Sequence, residues 1–269
     1  MAVGAVRAAA QRGFLPLAAA LTLFAWAALW LLGSSPYGRY LGHGGWGVGP
    51  GASLAWCTAL PGGEALVRLL LDVGGWLLMI AAMMLPTIIP LLNRFDRVVS
   101  GRRDRNRLMA LVIGGYLIVW TGFGVTAHLL GMTLQSAAQR SQWMLFNGWA
   151  IGAGIFAVAG LFQFSALKYH CLAKCRTPLS FVVKHWRGPK PMRNALMLGL
   201  DHGVFCVGCC WAIMLLMFVV GTGNFGWMLA IGLIMAIEKN LSWGARLGRP
   251  LGGALLAGAA AIAAVNLLP

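Results

Sequence analysis

The chain is poor in charged residues, and acidic residues are the scarcest, with six Asp and Glu among 269 residues. Charged residues make up 10% of the sequence, whereas an ordinary soluble domain carries about 25%. The phosphate-binding loop of P-loop nucleotide-binding proteins and the Ser-His-Asp arrangement of common hydrolytic enzymes are also missing from the sequence. We therefore do not expect a soluble enzyme of these classes.

What the chain has in abundance is apolar sequence. Hydrophobic residues form 59% of it and the mean hydropathy is +0.78, values typical of an integral membrane protein. The net charge of +15 comes from Lys and Arg that cluster between apolar runs, which is the pattern of a topology signal. The predicted partner is the lipid bilayer, and no nucleic-acid partner is expected.

Seven apolar runs approach or exceed the length of a membrane span. They cover residues 14–32, 66–92, 108–130, 146–167, 195–220, 225–237 and 251–268. Segments 93–107 and 168–194 carry six and seven Lys or Arg, and the positive-inside rule places such segments in the cytoplasm. The sequence therefore predicts an all-α, polytopic transmembrane helical bundle of about seven spans with a cytoplasmic N-terminus. We expect one integral membrane domain over 1–269, with a motif-bearing core at 66–241 and a first span and outer loop at 14–65.

The fifth run carries an imidazole and three thiols inside apolar sequence. His202, Cys206 and Cys209 fall on one stripe of a helix, and Cys210 lies on its flank. Thiolate and imidazole together suit zinc or copper(I), and this spacing lets one helix offer several donors to one ion. A buried Cys also packs as a small hydrophobe, so core packing is the alternative for any one of them.

The second run places methionines on one face of a helix. Met79 and Met83 share a stripe and Met84 follows directly; thioethers select copper(I). Counting the rise per residue from the cytoplasmic helix ends puts these thioethers at the depth of the thiols in the fifth run. Polar groups in spans face the bundle interior, so we expect the two stripes to meet. The alternative is that the methionines fill the core.

A second candidate site lies in the basic segment after the fourth run. It contains His170, Cys171 and Cys175, and the two cysteines share one helical face if the fourth helix continues until Pro178 ends it. Two cysteines cannot complete a tetrahedral metal site. A surface helix with incidental thiols is therefore the alternative.

Four short motifs recur in a known family: AMMLP at 82–86, KxxCxxxCRxP at 168–178, HGxxCxGCCW at 202–211 and EK at 238–239. Together they resemble the DUF2182 family of bacterial integral membrane proteins. The resemblance implies a multi-span helical protein of the bacterial inner membrane with a Cys/His metal site, and it identifies neither the metal nor the reaction. From the residues alone, the adjacent acid and base at 238–239 are interpreted as a self-neutralised pair at the membrane interface.

These observations favour a membrane-embedded protein that binds a soft metal for transport, trafficking or delivery to a membrane enzyme. Copper(I) is the favoured ion, with zinc or iron as alternatives. Two rival hypotheses remain open. One is a membrane thiol oxidoreductase that uses the cysteines of the fifth run together with Cys171 and Cys175. The other is an accessory structural subunit of a larger membrane complex. Another membrane protein or complex is a candidate partner besides the lipid bilayer.

Overall fold

The computed structural model of the chain describes residues 19–31, 34, 65–186, 188–220 and 225–267. Over these ranges the protein is helical and contains no strand, so the all-α prediction is confirmed there. The helices are α1 (Ala19–Leu31), α2 (Ala65–Met83), α3 (Leu85–Val99), α4 (Arg105–Arg140), α5 (Gln142–Phe146), α6 (Trp149–Phe162), α7 (Ala166–Cys175), α8 (Pro178–His185), α9 (Pro191–Val220), α10 (Phe225–Asn240) and α11 (Gly248–Leu267), with a 3₁₀ turn at Gly244–Leu247. Most of the predicted outer loop and the start of the first span lie outside the described residues.

Helix α9 is the centre of the bundle, and its most extensive neighbour is the 36-residue α4. The two backbones approach closely because glycines face each other's helix. A Cβ added at Gly115 of α4 would lie 2.6 Å from the carbonyl oxygen of Leu196, and one added at Gly199 of α9 would collide with the carbonyl of Val112. Small residues permit this kind of contact between apolar helices. The register of α9 against α4 is thereby fixed.

Two predicted spans are broken in the structure. The second run divides at Met84 into α2 and α3, which are bent by 63°, and Pro86 lies in the first turn of α3, where its missing N–H costs nothing. The fourth run divides into α6 and α7, which are bent by 67°. There Ser165 caps α7 by accepting from the backbone N–H of Lys168. The fourth helix therefore does not continue to Pro178, and Cys171 and Cys175 lie on the separate helix α7.

In the part of the chain that the structure describes, three helices are long and apolar enough to cross a membrane, namely Arg105–Ala138, Pro191–Val219 and Gly244–Leu267, and the number is up to five if each bent pair forms one span. The first predicted span corresponds to α1, a shorter apolar helix, and the sixth corresponds to the 16-residue α10. Across the described ranges the helices thus have the composition of a membrane protein.

Candidate metal centre

Helix α9 brings its three cysteines together in the interior. Cys206, Cys209 and Cys210 are each 1% exposed. The thiols of Cys209 and Cys210 both donate to the carbonyl oxygen of Cys206, at 3.1 and 2.9 Å. Because these bonds run three and four residues back along the helix, they hold the two sulfurs against the turn that carries the third thiol.

Helix α7 adds a fourth thiol to this group. The Sγ of Cys175 lies 3.9 Å from the Sγ of Cys209. The same two helices approach closely at Gly208, where an added Cβ would lie 2.8 Å from the Sγ of Cys171. Cys171 thus fills the space beside Gly208, and His170 is exposed, with its ring 6.4 Å from that of Phe205. The predicted second site is therefore not separate, because its Cys175 joins the thiols of the fifth run.

His202 lies one turn before Cys206 and is buried. Its ring packs at 6.0 Å from Tyr116 and edge-on at 5.4 Å from Phe181, measured between ring centroids. The Nδ1 atom has no hydrogen-bond partner in the described part of the protein. A buried polar atom left unpaired costs about 1–3 kcal/mol, so this nitrogen is a free donor or acceptor close to the thiols.

Of the three predicted methionines, Met84 is the one that the structure connects to the thiols. It lies at the α2–α3 break, where its carbonyl accepts from the hydroxyls of Thr87 (2.8 Å) and Tyr116 (3.4 Å). The Tyr116 hydroxyl is also 3.1 Å from the Sγ of Cys206. Met83 packs instead on α10, since a Cβ at Gly232 would be 3.5 Å from its Cγ. Met79 is fully buried in the core.

Lys239 is the site residue that the sequence analysis misassigned. Its ammonium lies 2.9 Å from the Sγ of Cys206, 3.7 Å from the Sγ of Cys210 and 3.9 Å from the Sδ of Met84. Glu238 forms its ion pair with Lys168 at 2.7 Å. The expected self-neutralised pair at 238–239 is therefore wrong, because adjacent residues of a helix point about 100° apart. Glu238 faces α7 and Lys239 faces α9.

The end of α10 is fixed to α7 by a buried ion pair and by contacts of Arg176 nearer the surface. Lys168, with a side chain that is 0% exposed, also donates to the side-chain oxygen of Gln163 at the α6–α7 break. Arg176 donates to the carbonyl oxygens of Glu238, Leu241 and Ser242 at 3.3, 2.7 and 2.8 Å. These contacts hold Lys239 at the thiols, since they fix the last turn of the helix that carries it.

The donor set suits an ion that accepts few sulfur ligands. Among the described residues, no group of three or more His, Cys, Asp and Glu side chains is placed to hold a metal ion. With metal–sulfur bonds of about 2.3 Å, the 3.9 Å between Cys175 and Cys209 allows a shared ion at an angle of roughly 115°. Thiolates with a neighbouring thioether select copper(I).

The chain also matches a protein family. Residues 73–262, more than two thirds of the chain, match the family model PpoB2, described as copper chaperone. This range contains every site residue discussed above. No curated protein and no solved structure matches the chain.

Proposed function

The chain belongs to the PpoB2 copper chaperone family, and on that premise we propose that it binds copper(I) through sulfur within a membrane and delivers it to another membrane protein. The proposed ligands come from Cys175, Cys206, Cys209 and Cys210. The thioether of Met84, 3.9 Å from the Lys239 ammonium, and the imidazole of His202, whose Nδ1 has no partner in the described residues, are proposed as additional neutral donors.

The observation that carries the proposal is the meeting of thiols from two helices in one buried place. Three thiols of α9 are 1% exposed, and Cys175 of α7 reaches Cys209 across the helix interface. A lone buried Cys is most simply a packing residue, but sulfurs that converge from separate helices can share an ion. A soft monovalent ion is the cargo that such ligands prefer.

Cys175 is proposed as the ligand through which copper enters or leaves. It is half-buried, whereas Cys206, Cys209 and Cys210 are closed off from the surface. In a delivery protein, a ligand of the acceptor protein must bind the ion before the delivery protein's own ligands dissociate from it. A partly accessible thiol at the edge of a buried group meets that requirement.

The proposed setting is a bacterial inner membrane, with about seven spans and the N-terminus in the cytoplasm. Lys174 and Arg176 flank Cys175, and the basic segments 93–107 and 168–194 would all face the cytoplasm under the positive-inside rule. Copper exchange through Cys175 would therefore take place on the cytoplasmic side.

Copper loading of the purified full-length protein tests the proposal. Under reducing conditions we expect about one copper(I) per chain by elemental analysis, with sulfur neighbours in the X-ray absorption spectrum. Cys209→Ser should lose most of this binding. Cys57→Ser is the matched control, because Cys57 lies outside the matched residues 73–262 and its loss should change nothing. Equal loss in both variants, or no copper in the unmodified protein, contradicts the proposal.

A thiol oxidoreductase is the second candidate, and the separation of 3.9 Å between the Cys175 and Cys209 sulfurs is the observation that favours it. Two thiols this close can form a disulfide, releasing two protons and passing two electrons to a disulfide or quinone acceptor. Thiol counting before and after mild oxidation tests the pair. Loss of two thiols in the unmodified protein and none in Cys175→Ser, together with no copper binding, would support this function over the first.

A further inference from the structure

The ammonium of Lys239 lies beside the thiols, and the proposed function assigns no role to it. Lys239 is buried, and within the described residues its ammonium donates to three sulfur atoms, namely those of Cys206, Cys210 and Met84. The neighbouring carboxylate of Glu238 is bound to Lys168. A buried ammonium requires a compensating charge, and thiolate sulfur is the anion within its reach. The positive charge of Lys239 therefore contributes to the net charge of the site when an ion is bound.

We infer that Lys239 selects a monovalent ion over a divalent one. The inference rests on the proposed function and specifies its cargo. Two thiolates, one copper(I) and one ammonium sum to zero net charge. The same two thiolates with zinc and the ammonium leave one positive charge without a partner, and neutral donors such as the thioether of Met84 do not change that sum.

The number of thiolates decides this charge balance. A third thiolate would neutralise the zinc-bound site, but no three Cys, His, Asp or Glu side chains converge for an ion in the described ranges. The sulfur pair that the structure places together, Cys175 and Cys209 at 3.9 Å, forms a site with two negative charges when both thiols are ionised. An uncompensated charge is costly in a poorly solvated interior, whereas the neutral copper(I) site avoids that cost.

The position of Lys239 is built into the fold. The end of α10 is held to α7 by the Lys168–Glu238 pair at 2.7 Å and by Arg176, which donates to the backbone carbonyl of Glu238 at 3.3 Å. The ammonium is therefore not a mobile surface charge that can withdraw when a divalent ion arrives. An ion that reaches Cys206 meets it at contact distance.

Two substitutions that remove the charge test the inference, with one that keeps it as the control. Lys239→Leu and Lys239→Gln remove the ammonium without adding a thioether or thiol, and Lys239→Arg retains the charge. Copper(I) and zinc dissociation constants are measured by competition with chromophoric chelators, on detergent-solubilised full-length protein under reducing conditions. The binding constants are the readout, so no delivery assay is needed.

We expect the zinc affinity to rise at least about tenfold in both uncharged variants, while their copper(I) affinity does not rise. The control Lys239→Arg should keep the preference of the unmodified protein for copper(I) over zinc. Unchanged or lower zinc affinity in Lys239→Leu and Lys239→Gln, with copper(I) still bound, overturns the role of Lys239 and leaves copper binding intact. Absence of copper(I) binding in the unmodified protein and in all three variants overturns the proposed function instead.

Discussion

We expect Glu238→Gln to lower the stability of the protein by about 3 kcal/mol, because it breaks a buried ion pair and leaves its partner charged. The side chains of Lys168 and Glu238 are 0% and 3% exposed, and their Nζ and Oε1 atoms are 2.7 Å apart. Removing one member of such a pair costs about 3–5 kcal/mol. The lower end applies here because Gln163 still accepts from the ammonium. For a chain of this size the loss corresponds to a fall of roughly 6–12 °C in Tm.

A double-mutant cycle separates the charge effect from lost packing. Lys168→Met alone should cost as much as Glu238→Gln, since it leaves the carboxylate buried without its cation. The double variant removes both charges of the pair, and its loss should fall short of the sum of the single losses by at least about 2 kcal/mol. Thermal unfolding in detergent, followed by circular dichroism at one scan rate, measures all three.

The surface ion pair Lys184–Asp201 is the matched control. Its atoms are also 2.8 Å apart, but its side chains are 66% and 37% exposed, and pairs of that kind contribute about 0–1 kcal/mol. Lys184→Met should therefore shift Tm by less than about 3 °C. Additive losses in the double variant, or single losses no larger than this control, would refute the buried-charge argument.

Three further outcomes follow from the geometry. Met84→Leu should weaken copper(I) binding while zinc binding stays the same, and Met83→Leu should leave both unchanged; equal effects of the two substitutions in a chelator competition assay would contradict the placement of Met84 at the thiols. Gly115→Ala should lower Tm because its Cβ meets a backbone carbonyl of α9, whereas Gly114→Ala, with nothing within 4 Å of the added Cβ, should raise stability by about 0.5–1 kcal/mol. A lower Tm in both variants would argue against the close α4–α9 contact. A cysteine introduced at Gly101 should react with a membrane-impermeant reagent after permeabilisation and be protected in intact cells, and labelling in intact cells would reverse the proposed topology.

Helical periodicity predicted which residues share one face of a single helix. His202, Cys206 and Cys209 were placed on one stripe from their spacing, and all are buried on α9. The glycines that bring α9 against α4 could not be identified in the same way, because a glycine in an apolar run has the same sequence signature whether it faces lipid or a neighbouring backbone. The register between two helices depends on contacts between them, and the sequence of one apolar run does not show those contacts.

The contacts between helices are where sequence reasoning failed. Cys175 reaches Cys209 because the fourth run bends by 67°, and nothing in the local sequence except the N-cap serine at 165 marks that bend. Lys239 was paired with Glu238 because the two are adjacent in sequence, yet consecutive helical residues face different neighbours. The buried lysine itself was the available signal, since a cation at the end of an apolar run requires a partner.

The absence of a side chain at position 208 sets the width of the gap between α7 and α9. The Sγ of Cys171 lies 2.8 Å from where a Cβ would stand, so a methyl group there would require the Cys171 sulfur, or the helix that carries it, to move. An alanine at 208 would fit without that shift if a smaller residue stood at 171. In relatives that keep the contact between Cys175 and Cys209, a larger residue at position 208 should therefore be accompanied by a smaller residue at position 171.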